Sequence, residues 1–152
     1  MAKQISDIPR VAPATPASLF TTRRNAFVWL ALLLVALAIL RSAMATRLDG
    51  FTIDEAYHIA AGVSYVKYHD FRINPEHPPL VKLWVGGVMY ATGFRLDSLR
   101  HFNDKPGERA FANLTVFRQN DPDSVQRRAR VAMYALNGLL LLALAVALER
   151  CS

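Results

Sequence analysis

Two long apolar runs frame the chain. Residues 26–40 form an unbroken run of 15 apolar positions, Arg41 interrupts it, and residues 42–45 continue it. With Arg41 stretching its charged head toward water, residues 26–45 make a segment of 20, enough for a helical membrane span. A second run of 18 covers residues 131–148, with Asn137 as its most polar member, and just suffices to span. Before the first run, residues 1–25 carry Pro9, Pro13 and Pro16 among small and polar side chains and read as a disordered tail. The pattern predicts an all-α integral membrane protein in which two transmembrane helices, at 26–45 and 131–148, flank a long loop at 46–130.

Inside that loop the period changes to that of two shorter helices, at about 53–69 and 78–94. Thr52 and Glu55 are spaced as a capping box, which makes Thr52 the expected N-cap of the first. Ala56, Ile59, Ala60, Val63 and Val66 then fall on one aliphatic face, with Asp54, Tyr57, His58, Tyr65 and Tyr68 on the other. An aliphatic face opposite a tyrosine-rich one suits a helix lying at a membrane surface, the tyrosines forming an interfacial belt. The second helix starts at Pro78 or Pro79, where proline costs little, and repeats Leu80, Leu83, Trp84, Gly87 and Val88. Residues 80–94 hold a single charge, Lys82, and are too short to span, so an interfacial or re-entrant helix with a snorkelling lysine is expected. Gly86-Gly87 would permit close helix packing. The 95–121 stretch reads as mixed and polar, with turn signals at 104–107 and 120–123. Asp123 or Ser124 is the expected cap of the helix leading into the second span.

Composition changes the picture only modestly. The chain of 152 residues is 53% hydrophobic with a net charge of +6. Beside long apolar runs, that charge points to a membrane surface, and no nucleic-acid-binding signature accompanies it. The one cysteine, Cys151, permits no intrachain disulfide. Arg23-Arg24, the apolar run and Ala43-Met44-Ala45 also resemble a secretory signal with its cleavage site, although Arg41 lies between run and site. Arginines near the spans number more on the loop side (Arg41, Arg47, Arg118, Arg127, Arg128, Arg130) than on the terminal side (Arg10, Arg23, Arg24, Arg150), which favours a cytoplasmic loop. Asn113-Leu114-Thr115 matches a glycosylation sequon by pattern alone.

The candidate chemistry sits at the starts of the two short helices. Asp54-Glu55 opens one, and Glu76-His77 precedes Pro78-Pro79-Leu80 at the other. An Asp-Glu pair after a first span, a His-Pro-Pro-Leu helix and then arginines and a second span resemble the start of the GT-C fold glycosyltransferases. The nearest likeness is to the family 39 type, the protein O-mannosyltransferases and aminoarabinose transferases. The resemblance covers roughly residues 26–148. It implies transfer of a sugar from a polyprenyl-phosphate carrier, in a bacterial plasma membrane, to an acceptor glycan, lipid or protein. It also implies that the 46–130 loop is extracytoplasmic, against the arginine count. By position, Asp54 matches the general base for the acceptor hydroxyl and Glu55 its partner. Glu76 matches the acidic residue that in some members helps hold a divalent metal ion near the lipid phosphate, and His77 the histidine beside it. Complete members have many more spans, so the sequence reads as an N-terminal part of such an enzyme, without activity by itself.

Blander roles compete for the same residues. Glu55 closes a capping box, Asp54 complements a helix dipole, and His58 and His69 are solvated or interfacial. A truncated, non-catalytic membrane protein with an assembly or lipid-binding role is the alternative. Glu55-Ala56-Tyr57-His58 is also a Glu-x-x-His pair, but a di-iron bundle needs two such pairs and two more glutamates.

Overall fold

A computed structural model describes residues 16–52, 54–97, 102 and 104–151, with side chains described from residue 24 onward. The described residues are helical and contain no strand. In chain order they form α1 (Pro16–Ala45), α2 (Glu55–Tyr68), α3 (Pro79–Ala91), α4 (Lys105–Leu114), a π-helical turn (Thr115–Gln119) and α5 (Pro122–Cys151). Two of these, α1 from Arg24 and α5, are long and apolar enough to cross a membrane. Their leucines face outward: Leu30, Leu33, Leu34 and Leu37 on α1, and Leu139, Leu140, Leu144 and Leu148 on α5. The two helices lie against each other, and a methyl group on Gly138 would come within 3.1 Å of Ile39 Cδ1.

Both spans extend beyond their apolar runs. Residues 16–25, expected in a disordered tail, continue α1 upstream; Pro16 takes the first helical position, where its missing N–H is not needed. Residues 1–15 lie outside the described residues. At the other end, α5 begins at Pro122 rather than at 131, because Asp121 Oδ2 accepts from the Ser124 N–H at 3.1 Å and starts the helix. Asp121 is thus the cap, in place of Asp123 or Ser124. The first turns of α5 insert Val125, Ala129 and Ala132 into the core, which makes one 30-residue helix both core element and candidate span.

The core is built on α2. Ala56, Ile59, Ala60, Ala61, Val63 and Tyr65 are all nearly inaccessible, so the helix is buried on every side. This overturns the surface helix expected over 53–69. The tyrosines form no belt: Tyr57 and Tyr65 point into the protein, where each hydroxyl finds an acceptor. Ile53 lies outside the described residues, and the helix ends at His69, whose left-handed backbone (φ 55°) returns its N–H to Ser64 O.

Contact between α2 and α3 is backbone to backbone. A Cβ on Gly86 would stand 2.1 Å from the Gly62 carbonyl carbon, and one on Gly62 would stand 2.1 Å from Lys82 O. Gly87, its neighbour in sequence, faces open space. The crossing turns α3 with Lys82, Val85, Gly86 and Met89 inward. Of the stripe read from the sequence, Leu80 and Leu83 are exposed, whereas Trp84 and Val88 pack partly buried against the core. The helix ends at Ala91, short of 94, because Thr92 and Gly93 (φ 82°) turn the chain back.

The structure adds α4 where the sequence suggested only turns. Asp104 Oδ1 accepts from the Gly107 N–H at 2.8 Å, and Pro106 sits in the first turn, so the residues taken as a turn start a helix. Gly86→Ala is expected to force α2 and α3 apart at a cost of about 1–3 kcal/mol or more. Gly87→Ala is expected to be neutral or to stabilise α3 by about 0.5–1 kcal/mol. Thermal unfolding of the solubilised protein checks this: the midpoint falls for the first variant and holds or rises for the second.

Candidate functional site

A cavity of about 540 Å³ opens where the starts of α2 and α3 face α5. Its apolar wall comes from Ile59, Pro78, Val81, Val85, Ala129 and Met133. Its polar groups are Thr52, Asp54, Glu55, His58, His77, Lys82 and Arg130. Three of the four residues marked out by the sequence, Asp54, Glu55 and His77, therefore share one cavity. Glu76 does not line it. Its carboxylate pairs with Lys105 at 2.5 Å on α4, which holds it below the usual carboxylate range.

The two carboxylates on the cavity are already engaged. Asp54, more than half exposed, stands 3.4 Å from Arg109 Nη2. Glu55 Oε2 accepts from the Thr52 N–H at 3.3 Å, the return half of a capping box. The Thr52 hydroxyl makes no matching bond, since Asp54 takes the cap position with helical backbone angles.

Lys82 is the feature that sequence reading missed. Rather than snorkelling, it is 3% exposed, with Nζ donating to Tyr65 Oη at 3.0 Å and to Asn74 O at 2.5 Å. Among the described residues no carboxylate pairs with it. Burial pushes its pKa below the ordinary lysine value, and the charge of Glu76 only partly opposes this. The sequence signal was its spacing: Lys82, Val85 and Met89 share a stripe that is buried once α3 packs through Gly86.

Asn74 holds this region together. Its backbone is left-handed (φ 53°), which asparagine tolerates better than most residues. Its carbonyl accepts from both Lys82 and Tyr65, and its N–H donates to Glu108 Oε2 at 3.3 Å. Its Nδ2 donates to His58 Nδ1 at 2.9 Å. The His58 ring stands edge-on to that of His77 at a centroid distance of 5.1 Å. Glu108 also accepts from the Tyr57 hydroxyl, and burial together with this carboxylate raises the Tyr57 pKa to about 12. The net effect is a buried polar cluster tying α2, the 73–77 turn and α4 behind the cavity.

Arg130 lines the cavity from α5. Its guanidinium donates to Thr46 O, to Asp49 O at 2.8 Å and to Gly50 O at 3.2 Å. Like Lys82, it is a cation met by neutral oxygens, so the cavity pairs two such cations with an apolar wall.

The side chains that could ligate a divalent metal each have a protein partner in this arrangement. Glu76 is turned to Lys105, Glu55 to the Thr52 N–H, and His58 Nδ1 to Asn74. Among the described residues no three His, Cys, Asp or Glu side chains converge as ligands. In the Glu55–His58 pair, read as half of a di-iron motif, Glu55 Oε2 and His58 Nδ1 make two of these bonds. Compared with known proteins, the chain matches no family model, no curated protein and no solved structure.

Desolvation lowers the His58 pKa below its ordinary 6.5, with the charges of His77 and Lys82 acting in the same direction and Asp54 against. As pH falls through the window just below 6.5, the unfolded chain therefore takes up a proton that the folded one resists. Stability is expected to fall with it. Thermal midpoints from pH 7.5 to about 5 should drop less for His58→Gln than for the wild type.

Proposed function

We propose that this cavity receives the phosphate-bearing end of a polyprenyl-phosphate sugar and that the chain carries the first carboxylates of a GT-C-type membrane glycosyltransferase. One observation carries the reading: Asp54 and Glu55 share a cavity with the cations Lys82 and Arg130 over a wall of apolar side chains, beside two helices long enough to span. A lipid phosphate needs all of these, an apolar surface for the first isoprene units and positive charge for the head. The likeness of the Asp-Glu and His-Pro-Pro-Leu segments to that family supports the same reading, and with it an extracytoplasmic 46–130 loop.

The chemistry follows from the placement. The acceptor hydroxyl oxygen forms a bond to the anomeric carbon as that carbon's bond to the phosphate oxygen breaks, and the bonding pair leaves on the lipid phosphate. A carboxylate takes the hydroxyl proton in the same step, since a sugar or serine hydroxyl is a poor nucleophile near neutral pH. Asp54, at the open mouth, is that base, and Glu55, held to the Thr52 N–H, fixes the turn that carries it. Lys82 and the positive field of Arg130 lower the energy of the departing phosphate. His77 shapes the cavity rim beside His58, and Glu76 clamps the 73–77 turn to α4 through Lys105.

A second reading draws on the partners of the carboxylates. Asp54 faces Arg109 and Glu55 faces Thr52, so both have structural occupations. The cavity then binds a lipid phosphate without turning it over. Transfer from a polyprenyl-phosphate sugar, measured in membranes holding the protein at its natural length, separates the two. Asp54→Asn is expected to reduce turnover about 10²–10⁴-fold at equal membrane level, the worth of general-base assistance. Donor binding should survive Asp54→Asn and weaken in Lys82→Met. Wild-type binding without any transfer establishes the second reading, and near-normal turnover by Asp54→Asn removes Asp54 as base.

A further inference from the structure

The Arg130 guanidinium is committed to one place in the chain. Its three acceptors, Thr46 O, Asp49 O and Gly50 O, all lie in the turn that follows α1. That turn is continuous with the helix, since the Thr46 N–H bonds Ser42 O and the Asp49 N–H bonds Thr46 O. One helical turn further along α5, the Tyr134 hydroxyl is hydrogen-bonded to Thr46 Oγ1. A planar fork of N–H groups meets three carbonyls of this turn at once, as a lysine ammonium on a flexible stem does not.

The position of this contact matters because of how the helices pack. α1 packs against α5, whereas α2 packs against α3, α4 and the π turn. Residues 46–54 are thus the direct chain link between the apolar helix pair and the carboxylates. Only residues 51–53 separate Gly50 from Asp54. Arg130 holds the near end of that link from the same helix that seats Val125, Ala129 and Ala132 in the core beside α2. The two ends of the link are thereby referenced to one rigid element.

We propose that Arg130 is a positioning residue: it fixes the 46–50 turn on α5 and so sets where Asp54 and Glu55 stand at the mouth of the cavity. The catalytic consequence rests on the transferase reading above, while the tie itself does not. A spin label at Leu48→Cys, in a Cys151→Ser background, reports on the turn directly; Leu48 is 93% exposed and Cys151 is exposed and unpaired as a thiol. In the full chain in liposomes the label is expected to be restricted, and Arg130→Lys, which keeps the charge and loses the fork, should free it. Sugar transfer should then fall about tenfold or more, the cost of a misplaced reacting group, with the donor KM little changed. Tyr134→Phe, which drops one hydroxyl bond, should show a smaller gain in mobility, and it carries the test if the arginine variant does not insert. An unchanged label spectrum in the variant tested overturns the tie. A freed label with full turnover overturns the positioning role. A label freed in the variant, where the wild type itself transfers no sugar, upholds the tie and overturns the transferase reading alone.

Discussion

The close crossing of α2 on α3 governs this structure. Gly62 and Gly86 meet with no room for a side chain on either, so the backbones themselves are in contact. Helices this near cannot choose freely which other residues face inward. With Gly86 on the contact line, Val85, Met89 and Lys82 must share the buried side of α3. Leu80, Leu83 and Tyr90 are then turned outward. A helix with its one charge inside and leucines outside has the polarity of an element whose outer surroundings are apolar, and it packs against α5, whose later turns present leucines outward.

Burying Lys82 sets the polar architecture around it. A buried ammonium is tolerated only when its hydrogens are taken up. Tyr65 Oη and Asn74 O do this, and their positions are in turn fixed by the left-handed backbone at Asn74 and the bonds from that residue to His58 and Glu108. The cluster leaves positive charge on the floor of a cavity whose carboxylates sit at its mouth. Arg130, on the α5 side, is likewise a cation satisfied by carbonyls, with no ion pair among the described residues. In both cases the hydrogen bonds are satisfied locally while the charge is not neutralised.

α5 joins the two parts of the molecule. Its first turns belong to the core and its later ones lie along α1. Trp84 of α3 donates to Ala132 O at 2.7 Å, close to where the core contacts end and the exposed leucines begin. The cavity lies at this same level, beside Ala129, Arg130 and Met133. A ligand with one apolar and one anionic end would meet each part of the cavity in the matching surroundings.

The sequence by itself determined the elements whose signals are local. Two apolar runs of sufficient length, the Thr52–Glu55 spacing and Pro78-Pro79 located α1, α5, α2 and α3, although α1 and α5 begin ten and nine residues before their apolar runs. The same local reading put Asp54, Glu55 and His77 together, because each stands at the start of a helix and helix starts were legible. What it misjudged were faces. α2 carries aliphatic and tyrosine stripes in equal measure, and only packing decides whether the second meets water; here Glu108 and the Asn74 turn, both distant in sequence, cover it. α3 has two apolar stripes, and the choice between them fell to the Gly62–Gly86 contact, which no single segment contains. α4 went unseen because Asp104-Pro106-Gly107 is equally a turn and a capped helix start, and the chain resolves the choice only by having α2 to pack against. Glu76 left the expected site for the same reason: its partner, Lys105, comes from that unseen helix. Local chemistry fixed where helices begin and end, whereas their rotation, and with it which charges share a cavity, was decided by contacts between segments far apart in sequence.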